Sequence, residues 1–205
     1  MYEAYCPMAF QGRGAPWLAD AKEILNPYFG DKMLHCGEIR KTFESTGETG
    51  VPAAFRKEVS LLAERYLAVG RALAGDDHET ALAAAEALDE ALARVPRGAL
   101  AGEALASWRQ VSGLLRSAVE SIGKAPDLES ARRPFALLSE GMIRILERFG
   151  HAGPDDLVQA HCPMAFSNRG ADWVQRGDEI RNPYFGAAMP RCGDVTHRFA
   201  REPGD

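Results

Sequence analysis

Between about residues 51 and 150 the apolar positions recur at alternating steps of three and four. The first run is Phe55, Val59, Leu62, Tyr66, Val69 and Leu73; the second is Ala81, Ala85, Leu88, Leu92 and Val95. The third is Leu105, Trp108, Val111, Leu115, Val119 and Ile122; the fourth is Ala131, Phe135, Leu138, Met142, Ile145 and Phe149. Each run is one stripe of an amphipathic helix, and the residues between are rich in the helix formers Ala, Leu, Glu and Arg. Breaks at Gly75-Asp76-Asp77, at Pro96-Arg97-Gly98 and from Gly123 to Pro126 leave only short connections. The pattern predicts an up-down-up-down four-helix bundle. The stripes are read as bundle core rather than as a partner groove, which accounts for Trp108 and Met142. Pro134 predicts a kink in the fourth helix or a later start for it. His78, in a turn with two aspartates, reads as a solvated residue at a helix start.

Outside this segment the helical period stops and a repeat takes over. Laying residues 6–43 over 162–199, without a gap, gives 20 identities in 38 positions. The shared residues are mostly Cys, Pro, Met, Gly, Trp and the string Asn-Pro-Tyr-Phe-Gly, which favour turns. Two copies so far apart do not form a solenoid. The expectation is a loop-rich module used twice, each with one short helix near Trp17–Ile24 or Trp173–Ile180. The predicted fold class is therefore all-α. A first Cys/Met module occupies 1–43, the bundle 51–150 and a second Cys/Met module 161–199. With links at 44–50 and 151–160, both modules would sit at one end of the bundle. They would pack there as a pair, burying Trp17, Phe29, Trp173 and Phe185.

Composition narrows the function classes. The 24 basic and 29 acidic residues leave a net charge of −5, which argues against a nucleic-acid module. No apolar run reaches the length of a membrane span, and no basic-then-apolar leader opens the chain. There is no phosphate loop, Cys-x-x-Cys pair, His-Glu-x-x-His helix or Gly-x-Ser-x-Gly elbow. The chain is accordingly read as a protein that is not an enzyme.

The chemistry lies in the repeat. Each copy opens with Cys-Pro-Met and closes with Met-x-x-Cys-Gly, so the candidate metal ligands are Cys6, Met8, Met33 and Cys36, then Cys162, Met164, Met189 and Cys192. Two thiolates with two thioethers form a soft donor set, suited to Cu(I) or Ag(I); zinc favours Cys and His. A competing reading joins Cys6 to Cys36 and Cys162 to Cys192 as disulfides that staple a structural or interaction domain. A reading of the methionines as apolar gap-fillers beside aromatic rings suits one of them better than both in both copies. His35 and His161 each adjoin a cysteine at non-equivalent positions and read as surface residues. Trp17 and Trp173 read as module core, with cation binding on the indole face as the alternative. The Asn-Pro-Tyr-Phe-Gly strings at 26–30 and 182–186 read as structural turns.

The string HCPMAFSNRGADWVQRGDEIRNPYFGAAMPRCGDV, following bundle phrases such as ALAGDDHETALAAAEAL, resembles an uncharacterised domain of bacterial heavy-metal efflux systems. That domain is found at the C-terminal end of periplasmic adaptor (membrane fusion) subunits of copper/silver pumps of the RND type. The resemblance covers about 55–199. It implies a periplasmic or exported setting, a metal ion and other pump subunits as partners, and ligand roles for Cys162, Met164, Met189 and Cys192. Residues 1–43 carry the same motif without a preceding bundle, which suggests a piece of a longer adaptor. Pro190 replaces Leu34 between the second pair of ligands.

Overall fold

The structure is a computed structural model that describes residues 2–19, 21–42 and 51–202. The chain divides into two compact units, 1–49 and 50–205. The predicted link 44–50 lies outside the described residues.

The second unit begins with the four helices that the stripes require: α1 (Ala53–Ala74), α2 (His78–Arg94), α3 (Gly102–Gly123) and α4 (Leu128–Phe149). Every stripe residue named above is buried apart from Leu105, which packs on the core from its edge. Asp77 and Asp127 cap α2 and α4 by accepting from the N–H groups of Thr80 (2.9 Å) and Ser130 (2.8 Å), which satisfies donors that have no partner within the helix. α4 starts six residues before Pro134, so the proline does not set its start. His78 is the first residue of α2 and half-buried, and its Nε2 lies 3.0 Å from the Ala125 carbonyl oxygen across the bundle end. Inside, Phe55 meets Trp108 edge-on at 5.3 Å, and Tyr66 stacks on Phe135 at 5.3 Å.

The modules overturn the all-α expectation. Each is a three-stranded antiparallel sheet, and the molecule is mixed α/β. In the first unit, β1 (Tyr2–Cys6) lies between β2 (Ala15–Ala19) and β3 (Glu38–Thr42). In the second, β4 (Leu157–Cys162) lies between β5 (Ala171–Arg176) and β6 (Asp194–Phe199). The segments at Trp17 and Trp173, expected to be helical, are strands paired with the central one: Trp17 faces Ala4 and Trp173 faces Ala160. The central strands precede the repeated segment except for their final cysteine. Judged on 6–43 alone, each copy lacks the strand that makes the others a sheet. Edge strands of five or six residues carry little signal of their own.

The second module does not sit at the end of the bundle. It lies along the side formed by α1 and α4. Ala152 N–H donates to the Ser60 hydroxyl near the start of α1 (2.9 Å), and Ala187 N–H donates to Asp76 beyond its end (2.8 Å). Between these points Val174 N–H donates to the Tyr66 hydroxyl (3.0 Å), which also bonds the Ser139 hydroxyl (2.7 Å). Arg176 pairs with Glu64, and Arg132 donates to the Pro183 carbonyl (3.0 Å) and to Asp76. Within the second unit Trp173, Tyr184 and Phe185 join the bundle core; within the first, Trp17 and Phe29 pack around Cys6.

Two predictions follow from this seam. Tyr66→Phe removes the hydroxyl that accepts from Val174 N–H and leaves that buried donor without it, at about 1–3 kcal/mol; urea unfolding should show a lower midpoint with an unchanged slope. Asp76 is held below the usual carboxylate range chiefly by the Ala187 N–H, with Arg132 adding and burial opposing. Its folded pKa is thus below its unfolded value of about 3.9, so the stability it contributes is present above that value and is lost as pH falls through the folded one. Denaturation midpoints between neutral and acid pH should drop less in Asp76→Asn than in the parent.

Candidate functional site

The central strand of each sheet ends at the first cysteine, and the second cysteine stands just before the third strand. Both therefore lie at the same end of the sheet. The sulfurs are 3.9 Å apart in the pair Cys6 and Cys36, and 3.3 Å apart in the pair Cys162 and Cys192. All four thiols are unbonded. Cys6 and Cys162 have no exposed surface, while Cys36 and Cys192 are half-buried.

Three local devices make the meeting possible. First, the chain turns sharply after Cys-Pro-Met through residues in the left-handed region: Phe10 and Gln11 at φ 51° and 63°, Phe166 and Ser167 at 51° and 62°. Non-glycine residues adopt this region only at a cost of about 1–3 kcal/mol each, and both copies bear it at the same places. Second, the Asn-Pro-Tyr-Phe-Gly turn carries a polar clamp. The buried amide of Asn26 donates to the Cys36 carbonyl (2.5 Å) while its oxygen accepts from Tyr28 N–H (2.8 Å). Asn182 does the same for Cys192 (2.7 Å) and Tyr184 (2.8 Å). Third, the glycine after the second cysteine lies under the tryptophan. A Cβ on Gly37 would come 2.7 Å from Trp17 Cη2, and one on Gly193 would come 2.9 Å from Trp173 Cη2. The tryptophans are thus module core. The role of the asparagines in fixing the second cysteine was not read from the sequence; their recurrence beside a Pro in both copies was the available signal.

The first pair is electrostatically asymmetric. Burial would raise the Cys6 thiol, but the Asn26 amide, the Met8 backbone N–H, the Cys36 thiol and the Ala9 N–H together bring it below its ordinary value. Cys36 is raised by burial and by the neighbouring Cys6 sulfur and its charge. The two shifts are opposed, so as pH rises Cys6 gives up its proton before Cys36. Cys192 is raised in the same sense by its hydrogen bond with Cys162, by burial, and by the charges of Cys162 and Asp194, against a weaker contribution from the Met164 N–H.

The methionines flank these pairs. Met8 and Met164 follow the first cysteine by two residues and are 54 % and 47 % exposed, which excludes the gap-filler role for them. Met8 lines a cleft with Phe10, Tyr28 and Phe29. Met33 and Met189 are half-buried at the ends of short 3-10 turns, and their carbonyls accept from Cys36 N–H (3.0 Å) and Cys192 N–H (3.3 Å). His161 and Cys162 are neighbours on a strand and point to opposite faces; the His161 ring is 2.9 Å from Asp172. His35 is exposed and bonds the Ile24 carbonyl oxygen (3.0 Å). Among the described residues no group of three or more His, Cys, Asp and Glu is placed to hold a metal ion.

The donor set tolerates a metal. Two thiolates bonded at about 2.3 Å and subtending a tetrahedral angle stand about 3.8 Å apart. The first pair is already at 3.9 Å, and the second, at 3.3 Å, needs to open by roughly half an ångström.

Residues 62–153 are similar to a family described as a protein of unknown function, DUF3347. The match runs from within α1 to just past α4 and includes neither cysteine pair. No curated protein and no solved structure matches the chain. Among the described residues no helix is long and apolar enough to cross a membrane.

The clamp gives a direct test. Asn26→Ala removes a hydrogen bond that lowers the Cys6 thiol and frees the Cys36 carbonyl. Thiolate absorbance followed against pH should show the first ionisation of the Cys6 and Cys36 pair moved to higher pH.

Proposed function

We propose that each repeated module binds one soft monovalent cation, Cu(I) or Ag(I), through its cysteine pair and the flanking methionines. The observation that carries this reading is the meeting of Cys6 with Cys36, and of Cys162 with Cys192, with the half-exposed Met8 and Met164 two residues along the chain from the first cysteine of each pair. Soft sulfur donors favour these ions. Thiols bind such an ion as thiolates, so binding should release acid. The modules would hold the ion or hand it on, without catalysing a reaction. The setting would be periplasmic or exported, as part of a heavy-metal efflux system whose other subunits are the partners. The resemblance of the motif to adaptor-associated domains supports that setting.

The reduced protein should take up one Cu(I) per module in titrations against a chromogenic Cu(I) chelator. Cys6→Ser with Cys36→Ser should remove one site and leave the other, and Met8→Leu with Met164→Leu should weaken both by roughly tenfold, about 1.4 kcal/mol. Uptake that is absent, or indifferent to these changes, would defeat the reading.

The short sulfur separations favour one other reading, in which the pairs oxidise and the disulfides staple each module around an interaction domain. Mass measurement of the unreduced protein separates the two. A loss of four hydrogens together with no Cu(I) uptake after reduction would establish the staple.

A further inference from the structure

The two modules share a backbone but not an environment. Val174 is 2 % exposed and Tyr184 6 %, whereas their counterparts Leu18 and Tyr28 are 64 % and 37 % exposed. Pro183 and Gly186 are buried, and Pro27 and Gly30 are exposed. Trp173 is 1 % exposed and Trp17 only half-buried. Register is preserved: Leu18 faces Glu3 across the sheet as Val174 faces Gln159. The asparagine clamps are preserved too, as are the tyrosine hydroxyls, which donate to the carbonyls of Pro16 and Asp172. What differs is the cover. In the second module this face lies on α1 and α4.

We infer that the face formed by Leu18, Pro27, Tyr28 and Gly30 is a docking surface for a helical bundle of the kind that covers its twin, supplied from outside residues 1–205. The occupied copy specifies the occupant's chemistry. Two antiparallel amphipathic helices would present a tyrosine hydroxyl toward Leu18, as Tyr66 does toward Val174. An aromatic ring would stand against Tyr28, as Phe135 stands 5.9 Å from Tyr184. An arginine would reach the Pro27 carbonyl, as Arg132 reaches that of Pro183. The bundle of a second, unaltered copy does not serve, because its α1–α4 face already holds its own second module. The partner is therefore a bundle with that face unclaimed. Phe10, 63 % exposed, stands edge-on to Tyr28 at 5.4 Å, which suits an apolar interface core, where aromatic side chains concentrate.

A full-length probe with that face freed tests this. The probe carries Val174→Asp and Tyr184→Ser to undock its second module, and Leu18→Asp to disable its own first one. Mixed with nitrogen-labelled wild-type chain, it should form a one-to-one complex by sedimentation and slow amide exchange at 15–19 by roughly tenfold or more. Leu18→Asp in the labelled chain should abolish both effects. The inference is overturned if a probe with intact helical circular dichroism gives no protection. It is equally overturned if 15–19 in the wild-type chain alone exchanges as slowly as 171–176, or if only anionic lipid vesicles protect it. Should the probe lose its helices, Val174→Leu with Gln175→Ala places the first module's residues on the existing face. Retained protection of β5 then supports the fit, and release of the module from α1 and α4 overturns it.

Discussion

Everything in the repeated module depends on one side chain that makes the chain come back to where it left. The central strand ends at a cysteine, and thirty residues later a second cysteine must stand beside the first. Asn26, and Asn182 in the second copy, hold that return. One amide group closes its own turn through the oxygen and grips the backbone of the second cysteine through the nitrogen. Both asparagines are buried, where a polar group without partners would be costly. The left-handed turn after the first cysteine and the glycine after the second solve the same problem from the two ends. None of these features is needed to make a sheet. They are needed to make this sheet finish with two sulfurs in contact.

A sheet of three short strands buries little by itself. The second module makes up the deficit by lying on the bundle, where Trp173, Val174 and Tyr184 continue a core begun by Tyr66, Phe135 and Ser139. The polar part of that seam is as specific as the apolar part. The Tyr66 hydroxyl serves both the Val174 N–H and Ser139, and Arg132 ties Pro183 to the turn at Asp76. The first module repeats the strand register, the asparagine clamp and the tyrosine hydroxyl bond of the second, so the local fold is encoded in the module. The bundle adds burial, not shape.

The four helices were legible because each stripe has many turns over which its period can be counted; every stripe residue but Leu105 is buried, while Leu67, Ile143 and Leu146, outside the stripes, are buried as well. The sheets were not legible, for a reason that lies in the repeat itself. Identity between the copies starts at Cys6 and Cys162, whereas the strands that organise the sheets end there. The preceding residues, Tyr2 to Tyr5 against Val158 to His161, have diverged in all but Ala4 and Ala160. The strands at Trp17 and Trp173, five and six residues long, looked helical only while their partner was missing. Within the site, the sequence yielded the sulfur residues and their pairing. It yielded the Asn-Pro-Tyr-Phe-Gly turn as structure, but the turn's polar half acts directly on the second cysteine, a consequence that spacing along the chain does not carry.

The same donor set thus stands in two mechanical settings. Cys162 belongs to the large core that unites the second module with the bundle, together with Leu157, Ala160, Ala165 and Trp173. Cys6 belongs to a cluster of three buried residues, with Trp17, Phe29 and Cys36 packed against it. Local opening is governed by how many buried contacts must be given up. Exposing the second pair requires parting a sheet from two helices, whereas exposing the first disturbs only a small cluster. Chemically equivalent pairs therefore differ in how readily they open. Under the proposed soft-metal reading the first site would exchange its ion faster than the second. A partner seated on the Leu18 face would move the first site toward the behaviour of the second, because it would supply the contacts that the bundle supplies to its twin.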